Sequence, residues 1–182
     1  MTEEWINSRG EKVLRELGIS ESQKVVDFGS GEGIYTIIAS QIVGASGRIF
    51  SIDNDKAILD ELKQKLRLKK IQNVKLFLMS NEIELPLADN SVDIFLLFDV
   101  YHLLDTHQRK KIIEEAARVL QKSGLLLYHA THLKSYNIKI ERVKNRMIKN
   151  GLIFKQKVKK LMFHWSWIEE GLILIFSKIT KE

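Results

Sequence analysis

Cysteine is absent from this chain of 182 residues, and proline occurs once, at Pro86. The absence of thiols excludes disulfide bonds, thiolate metal sites and cysteine nucleophiles. A single proline leaves no proline-rich spacer, and the length fits one domain over residues 1–182. No apolar run approaches the roughly 20 residues of a membrane helix, and the acidic N-terminus lacks the apolar core of a signal peptide. The sequence therefore predicts a single-domain cytoplasmic protein.

Positive charge is concentrated in one segment. The formal net charge is +6, and residues 134–160 hold eight lysines and two arginines against one acid, Glu141. The first interpretation is a solvated helix face followed by an exposed hairpin. The alternative is a surface that meets nucleic acid, an acidic substrate or an anionic membrane.

Apolar periodicity predicts helices and strands in alternation. Helices are predicted at 3–17, 34–43, 56–69, 106–120 and 135–150. Strands are predicted at 24–28, 48–52, 74–78, 92–98 and 124–130, followed by two longer strands at 153–165 and 171–179 with Gly171 at the reversal. Alternation indicates an α/β fold with a parallel sheet, and the last two strands indicate an added antiparallel hairpin.

A glycine-rich turn follows the first predicted strand. Residues 25–33 read VVDFGSGEG and a helix follows, so backbone N–H groups are available to a ligand. The dinucleotide-binding fingerprint requires a further glycine at position 34, where this chain has Ile34. Asp27 lies just before the glycines, where a carboxylate suits a ligand that carries a cation better than a pyrophosphate.

Asp53 follows the second predicted strand, 20 residues after Gly33. A carboxylate at this place can accept hydrogen bonds from both ribose hydroxyls of an adenosine, in the crevice at the carboxyl ends of a parallel sheet. The alternative is a helix N-cap, because Asn54, Asp55 and a helix follow.

Together, the glycine turn, Asp53, the segment NEIELPLADNSVDIFLLFDVYHLLD (81–105) and RVLQKSGLLLY (118–128) resemble the class I S-adenosylmethionine-dependent methyltransferases. Within that class they look most like the group that includes the ubiquinone/menaquinone-biosynthesis methyltransferases. The resemblance covers residues 25–128. It implies a Rossmann-like, seven-stranded, mostly parallel sheet in the order 3-2-1-4-5-7-6, with helices on both faces and S-adenosylmethionine as cofactor.

The resemblance also implies residue roles. The expected cofactor-binding residues are Asp27, Gly29, Ser30, Gly31, Gly33, Asp53, Asn54, Asn81, Glu82 and Phe98. The expected residues at the reacting methyl group are Asp99, Tyr101 and His102. Asn81 stands where the family often has aspartate, and Asn54 stands where an apolar residue often packs on adenine.

The other histidines are weaker candidates. His129 and His132 follow the fifth predicted strand and are expected either to touch substrate or to be structural. No third ligand accompanies them in the sequence, so no metal site is predicted. His107 and His164 are interpreted as structural.

The sequence thus predicts methyl transfer to a small molecule or metabolite by in-line displacement. One alternative is an RNA or protein methyltransferase that uses residues 134–160, with Trp165 and Trp167 on one strand face for stacking, although a core or dimer face is favoured for them. Another is a non-catalytic, cofactor-binding partner subunit. The helix within residues 1–20 is expected to form part of a substrate lid, and a homodimer is a further expectation.

Overall fold

The computed structural model describes residues 4–80 and 82–179, so predictions for residues 1–3, 180–182 and Asn81 lie outside it. The described residues form one seven-stranded sheet in the order β3-β2-β1-β4-β5-β7-β6. The strands are β1 (Lys24–Phe28), β2 (Arg48–Asp53), β3 (Val74–Leu78), β4 (Val92–Phe98), β5 (Leu120–His129), β6 (Leu152–His164) and β7 (Trp167–Lys178). The pairs among β1 to β5 are parallel, and β7 pairs antiparallel with β5 and β6. The predicted strand order is confirmed.

The helices connect these strands. A π-helical turn (Trp5–Arg9) continues into α1 (Gly10–Glu16), and a short 3-10 turn (Tyr101–Leu103) follows β4. The longer helices are α2 (Ile34–Val43), α3 (Lys56–Leu68), α4 (Thr106–Val119) and α5 (Ile140–Lys149). In the part of the chain that the structure describes, no helix is both long and apolar enough to cross a bilayer.

Alternating residues of the central strands bury opposite faces of the sheet. Val26 and Phe95 pack with α4 and α5, whereas Val25 and Ile94 pack with α1 and α2. Because both faces are covered, β4 is almost continuously apolar, as expected for an internal parallel strand. Helices therefore cover both faces, as predicted.

The N-terminal helical segment is anchored through Trp5. Its side chain is 1% exposed, and its Nε1 donates a 2.9 Å hydrogen bond to the carbonyl oxygen of Leu161 on β6. The Trp5 ring also packs edge-on against Tyr35 of α2. The segment is thus tied to the sheet, and its role in a lid stays a prediction.

The C-terminal hairpin differs from its prediction in one respect. The reversal lies at Trp165 and Ser166, not at Gly171, which is paired with Lys160 inside β7. Trp165 is therefore part of the turn and Trp167 begins β7, so the two do not alternate along one strand. Both are exposed, at 61% and 45%, so a core position for them is wrong, and a dimer face stays a prediction.

Candidate active site

A cavity of about 730 Å³ opens at the carboxyl ends of β1, β2 and β4. This volume is within the range of about 300–1,000 Å³ that small-molecule sites occupy. Seven predicted site residues line its wall. Six were predicted to bind the cofactor, namely Gly29, Ser30, Gly31, Asp53, Asn54 and Phe98, and the seventh, Asp99, was predicted to lie at the reacting methyl group. The cavity lies where the crevice of an open parallel sheet binds its ligand.

The glycine turn is held against β2 by its backbone. The N–H groups of Gly29 and Ser30 both donate to the carbonyl oxygen of Ile52, at 2.8 and 3.1 Å. Gly31 has φ +50°, and a Cβ placed on it would meet no protein atom within 4 Å. The turn therefore leaves open space beside Gly31, on the wall of the cavity.

Asp53 connects the end of β2 to this turn. Its Oδ2 accepts a 2.8 Å hydrogen bond from the Gly31 N–H, and its Oδ1 accepts one of 3.0 Å from the Asp55 N–H. The N-cap of α3 is Asp55, whose side chain accepts from the N–H groups of Ala57 and Ile58. The N-cap alternative for Asp53 is thus wrong. A carboxylate retains further lone pairs after two hydrogen bonds, so Asp53 can still accept from a ligand.

Asp27 lies behind the glycine turn and not on the cavity wall. Its side chain is 2% exposed, and its Oδ2 accepts a 2.6 Å hydrogen bond from Thr36 Oγ1. Burial raises the pKa of Asp27 from 3.8 to about 6, although the hydrogen bond from Thr36 opposes this shift. Its direct contact with a cofactor stays a prediction.

The remaining expected cofactor residues are distributed unevenly. Gly33 is buried, and its N–H donates to the Ser30 carbonyl oxygen at 2.9 Å, so it shapes the turn from behind. Glu82 is exposed and does not line the cavity. Asn81 lies outside the described residues.

Of the three residues expected at the reacting methyl group, Asp99 lines the cavity and Tyr101 and His102 do not. The Tyr101 hydroxyl accepts a 2.9 Å hydrogen bond from Arg146, and the ring is 3% exposed. His102 is 2% exposed, and burial lowers its pKa to about 4, so the imidazole is neutral at pH 7. Its Nδ1 lies 3.8 Å from Asp99 Oδ1. His102 therefore lies behind Asp99, which separates it from the cavity. Direct contact of Tyr101 or His102 with a substrate stays a prediction.

Four of the five histidines gather behind Asp99. His164 Nε2 lies 3.2 Å from Asp99 Oδ2 and 3.0 Å from His132 Nε2, while its Nδ1 lies 2.6 Å from Glu169 Oε1. The His102 ring packs on His132 with centroids 4.3 Å apart. His129 is the fourth, with its ring centroid 6.5 Å from that of His164.

Sequence reasoning missed His164 and much of the cavity wall. His164 ends β6, and the hairpin brings it to the end of β5, so spacing along the chain carries no signal of this proximity. Further wall residues come from α2, the segments after β3 and β4, the end of β6 and the hairpin turn, including Tyr35, Met79, Val100, Leu103, Phe163 and Trp165. The available signal was an apolar residue just after a strand: Met79 directly follows β3, and Val100 lies two residues after β4.

A sheet in this order, with a glycine turn after β1 and an acid at the end of β2, defines a class I S-adenosylmethionine-dependent methyltransferase. The profile of the family described as "Methyltransferase domain" matches residues 26–128, more than half of the chain, so the chain belongs to this family. S-adenosylmethionine is the cofactor that this class uses. The open space beside Gly31, the carboxylate of Asp53 and the cavity volume fit this molecule.

Curated relatives are similar over part of their length. The chain is 31% identical over 111 residues to a ubiquinone/menaquinone biosynthesis C-methyltransferase of Haemophilus ducreyi, covering 60% of this chain and 42% of that protein. It is 26% identical over 113 residues to a demethylmenaquinone methyltransferase of Geobacillus stearothermophilus, covering 62% of this chain and 47% of that protein. The chain thus spans about half the length of the curated relatives it matches.

Solved structures show the same fold. A SAM-dependent methyltransferase from Aquifex aeolicus superposes with a TM-score of 0.79 at 21% identity, covering 97% of this chain and 93% of that chain. A SAM-dependent methyltransferase from Methanosarcina mazei superposes with a TM-score of 0.72 at 15% identity, covering 92% of this chain and 98% of that chain.

Proposed function

We propose that this protein transfers the methyl group of S-adenosylmethionine to a small, uncharged, ring-containing acceptor that carries a hydroxyl group. The observation that carries this proposal is the charge of the cavity. Its charged lining residues are all acids, namely Glu32, Asp53, Asp55 and Asp99, and no lysine or arginine among the described residues lines it. Such a cavity repels phosphate groups and favours neutral or cationic ligands.

The rest of the wall supports a flat, apolar acceptor. Tyr35 and Phe98 pack edge to face with ring centroids 5.0 Å apart, and both line the cavity. Phe163, Trp165 and Leu103 add further apolar surface. Aromatic walls of this kind bind unsaturated rings by stacking and by excluding water.

The residues of this chain bind and align the reactants. When bound, S-adenosylmethionine supplies an electrophilic methyl group on a sulfonium. The glycine turn and Asp53 are proposed to hold the cofactor, and the aromatic wall is proposed to hold the acceptor in line with it. Alignment of this kind contributes on the order of 7–11 kcal/mol to lowering a barrier.

Asp99 is the proposed polar contact for the acceptor hydroxyl. It lines the cavity directly after β4, and burial raises the pKa of its carboxyl group. A carboxylate with a raised pKa is a better hydrogen-bond and proton acceptor near neutral pH. The names of the curated relatives, which refer to demethylmenaquinone and ubiquinone/menaquinone biosynthesis, support a hydroquinone as the acceptor class.

The basic segment at 134–160 has an explanation that needs no RNA. β6 is an edge strand, and its exposed lysines include Lys155, Lys157 and Lys159. Lysines on an edge strand prevent pairing with the edges of other sheets. Lys159 also pairs with Glu170 on β7, with 2.6 Å between Nζ and Oε1.

The test is a methyl-transfer assay with isotopically labelled S-adenosylmethionine. A short-chain demethylmenaquinol, total RNA and a protein extract are offered separately, together with an Asp99→Asn variant and a Lys155→Gln/Lys157→Gln control. We expect label in the quinol, a strong loss with Asp99→Asn and no change in the control. Label in RNA that is lost in the lysine variant would favour RNA methylation instead. Cofactor binding without label in any acceptor would favour a non-catalytic partner subunit.

A further inference from the structure

The side chains of Asp99, His132 and His164 converge on one point; we call them the Asp-His-His cluster. One ligand atom from each lies within 4.8 Å of the other two. Asp99 comes from the end of β4, His132 from the loop after β5 and His164 from the end of β6. Three separate elements therefore place three metal-binding side chains together, behind a cavity that Asp99 lines.

The hydrogen bond between His164 and Glu169 decides which way the imidazole of His164 faces. With 2.6 Å between His164 Nδ1 and Glu169 Oε1, the carboxylate accepts the Nδ1 proton. Trp167 Nε1 donates to the other oxygen of Glu169 at 3.1 Å and so fixes this carboxylate. The Nε2 atom of His164 then faces Asp99 and His132. Such a carboxylate–histidine pair is the usual outer support of a metal-bound histidine.

Without a cation, the carboxylate of Asp99 is incompletely satisfied. His164 Nε2 lies 3.2 Å from Asp99 Oδ2 and 3.0 Å from His132 Nε2, a contact in which one of the two imidazoles donates. Asp99 Oδ1 is buried and has no hydrogen-bond partner in the described structure. A proton or a metal ion between these atoms would satisfy the carboxylate.

The spacing agrees with a metal ion. Two ligand atoms on a tetrahedral zinc ion, each about 2.0–2.1 Å from the metal, lie about 3.3 Å apart. The distances from His164 Nε2 to His132 Nε2 and to Asp99 Oδ2, 3.0 and 3.2 Å, are close to this value, and the other oxygen of Asp99, Oδ1, lies 4.0 Å from His132 Nε2. We propose that Asp99, His132 and His164 bind a divalent transition-metal ion of the zinc class.

The chemical types of the three ligands narrow the choice of metal ion. Two imidazoles and one carboxylate suit zinc, iron(II) and related ions, whereas magnesium and calcium prefer all-oxygen sites. Three protein ligands leave an open coordination position, as in catalytic sites. Asp99 and His132 both have φ +52°, a strained conformation that is concentrated at functional sites.

The open position gives the ion a role, and this step rests on the proposed function. Since Asp99 lines the cavity, an ion bound to its carboxylate would replace the direct contact between Asp99 and the acceptor hydroxyl. Coordination lowers the pKa of a hydroxyl group, so the acceptor oxygen binds as the anion and its proton passes to water. The adjacent ring carbon would then be a stronger nucleophile. Its bond to the methyl carbon forms as the methyl–sulfur bond breaks, S-adenosylhomocysteine leaves with the electron pair, and the proton of that ring carbon passes to water.

The test measures zinc binding alone, with the full chain purified without an affinity tag and stripped with a chelator. Zinc chloride is titrated against a competing chromophoric chelator, without cofactor or acceptor. We expect one zinc ion per chain. The variants Asp99→Asn, His132→Gln and His164→Gln should each weaken binding about tenfold or more, whereas His107→Gln, at an exposed position on α4, should not. Circular dichroism checks that each variant folds.

Imidazole ¹⁵N spectra of the wild type supply a second readout that needs no variant. Zinc should shift the Nε2 signals of His132 and His164 and leave those of His107 unchanged. No zinc binding, or a His164 that carries protons on both nitrogens whether or not zinc is present, would overturn the inference in favour of a proton between Asp99 and His164. Zinc binding that the three variants do not weaken would also overturn it. Because methyl transfer is measured separately, zinc binding without quinol methylation would contradict the proposed acceptor and leave the metal site standing.

Discussion

Thr36 Oγ1 donates a 2.6 Å hydrogen bond to Asp27 Oδ2 directly behind the glycine turn. This contact stabilises the ionised carboxylate, yet the burial of Asp27 has the larger effect and raises its pKa from 3.8 to about 6. The fold therefore keeps a carboxylate where the apoprotein gains nothing from its charge. Such a residue is expected to serve a ligand.

We predict that Asp27→Asn stabilises the apoprotein at neutral pH. Between pH 3.8 and about 6 the folded state binds more protons than the unfolded state, so the free energy of unfolding falls as pH rises through this window. Above pH 6 the charge costs on the order of 3 kcal/mol, at 1.36 kcal/mol for each pKa unit. Asparagine removes this cost and keeps an oxygen for the Thr36 hydroxyl.

Urea denaturation at pH 4.5 and pH 7.5 measures this effect. The gain from Asp27→Asn should be larger at pH 7.5, and the control Asp60→Asn, at an exposed position on α3, should change stability little at either pH. In calorimetry, the same Asp27→Asn protein should bind S-adenosylmethionine more weakly. Equal affinity of the wild type and Asp27→Asn for S-adenosylmethionine would show that Asp27 supports the structure of the glycine turn and does not contribute to cofactor binding.

The open space beside Gly31 gives a second prediction, with Gly44 as its matched control. Both glycines have positive φ, +50° and +67°, and a Cβ on either would meet no protein atom within 4 Å. Alanine should cost each site about 1–3 kcal/mol of stability through backbone strain, and more at Gly44, whose ψ of −169° lies in a region that is essentially restricted to glycine. Only Gly31→Ala should weaken S-adenosylmethionine binding, by about tenfold or more, because only its methyl group projects beside the cavity. Equal affinities of the two variants would contradict the assignment of the glycine turn.

Local patterns in the sequence were enough to predict the strands and helices, whereas the order of the strands was implied by the family resemblance. Apolar strands ending in glycine or an acid, and amphipathic helices such as α3 with Leu59, Leu62 and Leu66 buried, reflect the burial of one face. The hairpin turn was missed because Gly171 looked like a reversal signal. Gly171 instead lies inside β7, where a side chain would overlap the ring of His129. The glycine is thus explained by a tertiary contact and not by a turn.

The candidate site was predictable only in its cofactor half. The glycine turn and Asp53 follow consecutive strands, so their meeting follows from the parallel sheet alone. The Asp-His-His cluster needs the antiparallel hairpin to bring β6 back toward the end of β5, and it depends on contacts between residues 33 and 65 positions apart. No periodicity along the chain encodes such a contact.

His102 is predicted to act as a positioning residue for Asp99. It lies 3.8 Å from the Asp99 carboxylate, and its Nδ1 lies 3.3 Å from Thr131 Oγ1. His102→Ala should lower kcat about tenfold without changing the affinity for S-adenosylmethionine, and His102→Asn should recover part of the loss because an amide can still bond to Thr131. His107→Ala is the control. Activity of His102→Ala equal to the wild type, or a loss that Asn does not relieve, would leave His102 a packing residue.

The last prediction concerns Gly171 and His129. A Cβ on Gly171 would overlap His129 Nε2 and would lie 2.7 Å from Met162 Cγ, and the Gly171 backbone itself is not in the left-handed region. Gly171→Ala should therefore cost about 1–3 kcal/mol of stability through overpacking.

If the clash with the His129 ring is the cause, His129→Ala should relieve it. The double variant should then be less destabilised than the two single variants predict by addition, with a coupling of about 0.5–3 kcal/mol in urea denaturation. Gly151→Ala provides the comparison, because its backbone has φ +81° and no atom lies within 4 Å of its Cβ position. Its cost comes from backbone strain and should add to that of His129→Ala without coupling. Simple additivity for Gly171→Ala as well would mean that Met162, and not His129, requires glycine at this point of β7.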